Sequence, residues 1–133
     1  MAPDGLITRS SRFSVEETID RLATAAQAAG LLIFARIDHA RNAAESGFEL
    51  RPTQPLILGN PRGGTPLMRD RQTAGIDLPL HALAWEDAEG AVRLAYPDPG
   101  WLAARHGLGE ASSSSLAQIE AGMAGLAAWA TAG

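Results

Sequence analysis

The chain is predicted to be a single α/β domain over residues 1–133, α+β in part: a mixed sheet of about five strands with helices packed on it. Three observations carry this. Apolar runs of strand length alternate with amphipathic stripes in the N-terminal half. Two further strand-like runs flank a short polar loop. Hydrophobic residues make up 46% of the chain, with no repeat, linker or charge block to divide them. A length of 133 residues is enough to bury one core.

Taken in order, residues 5–12 alternate loosely behind Gly5, which predicts a strand. Ser14-Val15-Glu16-Glu17 has the form of a capping box, with Ser14 as N-cap and Glu17 reaching back from the third helical position. Val15, Ile19, Leu22, Ala23 and Ala26 then share one helical face, and Gly30 closes the helix. Residues 31–37 are almost continuously apolar. Their shortness and their flanks, Gly30 and Asp38, predict a strand buried on both faces. Asp38 caps a short helix over 39–46, and residues 55–59 supply another short buried strand. Strand, helix, strand, helix, strand is the pattern of a parallel βαβαβ unit. Next, Thr65-Pro66 reads as the N-cap and first-turn proline of a short helix broken at Gly75. Residues 80–85 and 91–96 read as a β-hairpin about the loop 86–90. Asp98-Pro99 repeats the cap-and-proline signal before a helix over 100–106, stopped by Gly107. Leu116, Ile119, Met123, Leu126 and Ala130 form the stripe of a terminal helix that buries against the sheet or against a second subunit. Residues 1–4 and 109–114 are expected to be flexible.

Composition narrows the function classes. The net charge is −4 and the arginines are scattered, with no lysine at all, so no basic footprint for nucleic acid is present. The absence of cysteine removes disulfides, thiolate metal sites and a cysteine nucleophile. Met1-Ala2-Pro3-Asp4-Gly5 lacks the basic and apolar regions of a signal peptide, and no apolar run approaches the ~20 residues of a membrane span. The expectation is a soluble, cytoplasmic protein with neither membrane nor nucleic acid as partner.

Candidate chemistry follows from the parallel reading. Parallel strands joined by crossovers bring their carboxyl ends to one edge, where open α/β sheets bind ligands. That edge would collect Arg12, then Asp38 and His39, then Asn60, Arg62, Gly63, Gly64 and Thr65. The Gly59–Thr65 corner can cradle an anion on backbone N–H groups with Arg62 adding charge, or it is a tight turn that needs positive φ at Gly63 or Gly64. It matches neither the Walker A loop nor the dinucleotide fingerprint. Asp38-His39 places a carboxylate and an imidazole at a helix start: either a general base with its orienting acid, or an N-cap followed by a first-turn residue. His81 reads as a packed or edge residue, and His106 as a cation at a helix C-terminus. No metal-ligand spacing occurs, and no motif names a cofactor.

Ile37-Asp38-His39-Ala40, Gly59-Asn60-Pro61, Gly64-Thr65-Pro66-Leu67-Met68, Asp77-Leu78-Pro79-Leu80, Trp85-Glu86-Asp87 and Tyr96 with Asp98-Pro99 together resemble domain-of-unknown-function family 302. The similarity runs from about Ser11 to His106 and more weakly to the end. It implies a compact bacterial or archaeal α/β domain, often a stand-alone chain, and a homodimer. It carries no reaction, so no residue inherits a catalytic label from it. Pro97 is a departure, standing where a polar residue is expected. Three readings follow. The first is a domain binding a small anion or carboxylate at Asp38, His39, Asn60 and the 62–65 loop. The second is an enzyme with His39 as general base oriented by Asp38. The third is a structural module that dimerises through the terminal stripe without a ligand.

Overall fold

A computed structural model of the chain describes residues 4–132. Five strands, β1 (Leu6–Ser11), β2 (Leu32–Arg36), β3 (Thr53–Gly59), β4 (Leu80–Glu86) and β5 (Val92–Pro97), form one sheet in the order β1-β5-β4-β3-β2. Five helices accompany them: α1 (Val15–Ala28), α2 (His39–Glu45), α3 (Pro61–Asp70), α4 (Pro99–His106) and α5 (Ser113–Ala132). The single α/β domain with helices packed on a five-stranded sheet is as the sequence predicts.

The parallel unit is not. Every strand pairing is antiparallel, including β2 with β3. β1 and β2 do run the same way, but at opposite edges of the sheet, and β3 returns beside β2. The reason lies in α2: its seven residues span about 10 Å, roughly half the length of β3. Such a helix does not carry the chain back along the sheet for a parallel start.

Cores form where alternation and helical stripes agree. In α1, the Ser14 hydroxyl accepts the Glu17 N–H at 3.0 Å, satisfying a first-turn donor. Ile19, Leu22 and Ala26 of its inner face have no solvent exposure. They meet Leu56 and Leu58 of β3, Ala82 and Ala84 of β4, Leu94 and Tyr96 of β5, and Met123, Ala127 and Ala130 of α5. Each large side chain buried this way contributes about 1.5–3 kcal/mol. α1 and α5 pack on each other over this face. Met123 and Ala130 of the α5 stripe are thus taken up inside the chain, while Leu116, Ile119 and Leu126 stay partly exposed.

Two local expectations are also corrected, those on β2 and on the start of α3. β2 is an edge strand, with Leu32 and Phe34 half-exposed at 50% and 52%, rather than buried on both faces. α3 begins at Pro61 under the cap Asn60, not at Thr65-Pro66, so Pro66 lies inside it. Gly63 and Gly64 are helical, and neither has positive φ. The segment 109–114 holds a 3₁₀ turn, Glu110–Ser112, and the start of α5. Asp70 ties it down, accepting the Gly109 N–H at 2.9 Å and the Ser112 hydroxyl at 2.7 Å. Both bonds favour the charged carboxylate, Ser112 more strongly, and hold the Asp70 pKa below its usual value. Of the N-terminal segment, residues 1–3 lie outside the described residues, while Asp4 accepts the Leu6 N–H. Beyond it, Gly5 adopts φ +77°, and a Cβ there would lie 2.6 Å from the Trp101 ring. No other residue fits at that position.

The β4–β5 hairpin and α4 follow the expected signals. One Asp87 oxygen accepts the N–H groups of both Glu89 and Ala91, shaping the loop. Asp98 caps α4 through the Gly100 N–H, Pro99 occupies the first turn, and Gly107 ends the helix at φ +65°.

Candidate functional site

A cavity of about 540 Å³ opens where β3 runs into α3. The Gly59-Asn60 corner and the first turn of α3 form one wall. The outer part of α5, at Ile119, Gly122 and Leu126, forms another, and Leu31, Leu78 and Leu80 complete it. The size lies within the range of small-molecule sites, and the walls are apolar as such sites usually are. The polar side chains on it are Asn60, Arg62 and Gln118.

Small residues give the cavity its room. A Cβ on Gly63 would meet Ile119 at 3.7 Å, and one on Gly64 would meet Leu78 at 3.7 Å, both ordinary packing distances. Gly122 and Gly125 are different: a Cβ on either meets nothing within 4 Å. An interior helical glycine costs about 1 kcal/mol relative to alanine, and here no packing within the domain requires it.

The corner does not offer an N–H cradle. The Arg62 N–H goes to the Asn60 side chain at 2.9 Å, and the Gly63 and Gly64 N–H groups go to the Asn60 carbonyl at 2.9 and 3.0 Å. Pro61 has none to give. A negative group in the cavity would therefore be met by the Arg62 guanidinium, which forms no ion pair among the described residues, aided by the positive end of α3.

Antiparallel pairing divides the predicted site. Asn60, Arg62, Gly63 and Gly64 line the cavity, whereas Thr65 is exposed and outside its lining. Asp38 and His39 lie at the other end of β3, where the Ile37 N–H meets the Pro55 carbonyl. Four residues along a strand, about 13 Å, separate that point from Gly59. There Asp38 accepts the Arg41 N–H as the N-cap of α2, and His39 is exposed without a bond to it among the described residues. Arg12 sits at the far end of α5, where its N–H meets the Thr131 carbonyl. Gln118, Gly122 and Leu126 carry no chemical motif in the sequence. The hint available was a pair of glycines inside an otherwise regular helical stripe.

The other histidines lie elsewhere. His81 is exposed on β4. His106 is almost enclosed, with its Nε2 2.5 Å from Asp77 and its Nδ1 3.1 Å from the Thr73 hydroxyl, joining α4 to the 3₁₀ turn Gln72–Ile76. Among the described residues, no group of three or more His, Asp or Glu side chains could hold a metal ion. No helix of the described residues is long and apolar enough to cross a membrane.

Fold and cavity together define a small α+β domain: one antiparallel sheet with α1, α4 and α5 contributing to the core on one face, and an apolar pocket at the sheet's end. The chain belongs to the family described as domain of unknown function DUF302, whose model matches residues 7–126. The crystal structure of an uncharacterized conserved DUF302 protein from Bacillus stearothermophilus superposes with a TM-score of 0.80 at 20% identity, covering 92% of this chain and 94% of that one. At that identity the likeness speaks for the fold. The chain is also 49% identical over 118 residues to the Fluoride-specific ion channel FluC 1 of Brucella suis biovar 1, covering 89% of this chain and 46% of that protein. The protein of the same name from Brucella abortus biovar 1 matches equally, with 44% of its length covered. This chain thus spans less than half the length of these curated relatives.

Proposed function

We propose that the domain is a ligand-binding module, acting as a homodimer, whose cavity receives an organic carboxylate with an apolar body. The observation that carries this is the cavity itself: apolar walls of ligand size beside a corner that presents Arg62, an arginine without an ion partner among the described residues. The apolar part of the ligand would lie against Leu31, Leu78, Ile119 and Leu126, and its carboxylate would meet Arg62. Fluoride itself suits such walls poorly, because a monatomic anion has no surface to bury there. In the Brucella proteins, we read the matched 118 residues as a module accompanying the part that conducts fluoride.

Titration with decanoate and with decanol, followed by native mass spectrometry and calorimetry, tests the proposal. A charge-assisted bond to arginine is worth about 1.5 kcal/mol or more, so decanoate should bind roughly tenfold tighter than decanol. Arg62→Gln should erase that difference, and Gly122→Leu should block both ligands. Binding untouched by Gly122→Leu, or no binding of either compound, would overturn the assignment.

A further inference from the structure

The sheet has two faces, and the core accounts for one. Leu56 and Leu58, Leu80, Ala82 and Ala84, and Leu94 and Tyr96 all point into it. Alternation sends their neighbours the other way. Register aligns those neighbours into rows across the sheet: Ala35 beside Ile57 beside His81, Pro55 beside Leu83 beside Ala95 beside Thr8, and Trp85 beside Arg93 beside Ser10. None of them belongs to the core cluster; Pro55 and Ala95 are buried among their neighbours, while Ile57, Leu83 and Trp85 stay partly exposed and His81, Thr8 and Ser10 are exposed. A bulge in β2 between Ile33 and Ala35 adds Phe34 at one edge. Leu6 lies at the opposite edge, 44% exposed, so exposed apolar side chains stand at both edges of the face.

We propose that this second face is the homodimer interface, packed sheet against sheet on a second copy of the chain; the inference rests on the homodimer reading above. Size supports a second copy. Five strands about 4.8 Å apart and about 20 Å long present a planar footprint near 480 Å², before side-chain relief is counted. Two copies bury about 1,000 Å² or more, the scale at which an interface becomes specific. Charge supports it as well. A face that meets its own copy must not set like charges against each other. The ionisable side chains on the strands of this face are Arg93, already paired with Asp87 at 3.3 Å, and His81. Antiparallel sheets commonly leave one face to water, but that face is then polar; here Leu6, Leu32, Phe34, Ile57, Leu83 and Trp85 dominate it.

The experiment is light scattering and native mass spectrometry of the wild-type chain across a dilution series, beside Leu32→Glu, Phe34→Glu and, as control, Ile76→Glu. Leu32 and Phe34 are half-exposed at the edge and Ile76 is 74% exposed in the 3₁₀ turn, so all three should fold, which circular dichroism checks. The wild type and Ile76→Glu should be dimers. Leu32→Glu and Phe34→Glu each place a charge in the interface twice and should weaken the dimer about 100-fold or more. Hydroxyl-radical footprinting without any substitution should show Trp85 protected in the dimer and more reactive after dilution. A wild type that is monomeric at every concentration overturns the homodimer reading. A dimer that survives both edge substitutions, with Trp85 equally reactive in both states, overturns this face while leaving the dimer standing. An Ile76→Glu monomer would also overturn it.

Discussion

Gly122→Leu separates a cavity kept open by design from a loosely packed corner, and its effect can be worked out from the structure. Replacing an interior helical glycine removes a propensity cost of about 0.8–1 kcal/mol. The new side chain enters a space where a Cβ meets nothing within 4 Å, beside walls of Ile119, Leu78 and Leu80. Partial burial adds about 1 kcal/mol, and fixing its rotamers takes back about 0.5–1 kcal/mol. The net is a stabilisation of about 1–1.5 kcal/mol. For a domain of this size that raises Tm by about 3–6 °C. Differential scanning calorimetry and urea unfolding measure it directly, and Gly125→Ala should show the propensity part alone, about 1 kcal/mol. A variant more stable than the parent that no longer takes up decanoate is the expected outcome. Loss of stability at Gly122→Leu would refute the reasoning, because it would mean that the space is not there to be filled.

Three further outcomes follow from the same geometry. Asn60→Ala removes the acceptor of the Arg62 N–H and should destabilise the domain by about 1 kcal/mol in urea unfolding, with loosening confined to the start of α3 in hydrogen exchange. Tyr96 is the chain's one tyrosine, so phenolate absorbance reports it alone. Burial pushes its hydroxyl above the usual 10, so its titration midpoint should lie higher in the folded protein than in urea. Because the folded value is raised, its contribution is fully present below about pH 10 and is lost as pH rises through the folded value, and Tyr96→Phe should flatten that alkaline decline. Asp70 runs the opposite way: its folded value is depressed, so its contribution is present above about pH 4 and lost as pH falls through the folded value. Asp70→Asn should therefore flatten the fall of Tm with acid.

Much of the fold was legible because local signals and tertiary packing agree. The Ser14 cap and the Val15–Ala26 stripe mark α1, the alternation of 80–85 and 91–96 marks the hairpin, and Asp98-Pro99 with Gly107 bounds α4. What local signals do not contain is strand direction. An apolar run has the same period in a parallel and an antiparallel sheet, so order and direction rested on the alternation of element types. The length of α2 was the available warning. The chain carries two cap-and-proline pairs whose caps lie five residues apart, Asn60-Pro61 and Thr65-Pro66, and the sequence reading started α3 at the second. Asn60-Pro61 prevails because it follows directly on the end of β3, and its side chain and carbonyl together satisfy the first three N–H groups.

The same error of direction divided the site, yet what it left together is more informative than the convergence it replaced. With Asp38 capping α2, His39 has no orienting hydrogen bond among the described residues, which withholds support from the general-base reading. At the other end of β3, the corner that looked like an anion cradle has turned its N–H groups inward. In the proposed site, recognition therefore falls to the Arg62 side chain and the apolar walls rather than to free backbone N–H groups. An anion held by N–H groups alone could be as small as phosphate; one held by a single guanidinium beside Leu31, Ile119 and Leu126 gains most of its affinity from the carbon it buries. The continuous apolar run of β2 follows a similar logic. It was read as a strand covered on both sides, and one side is uncovered within the chain, with Leu32 and Phe34 half-exposed. An edge strand facing only water would be expected to carry charges there; this one carries leucine and phenylalanine, the side chains that the proposed sheet-against-sheet dimer would cover.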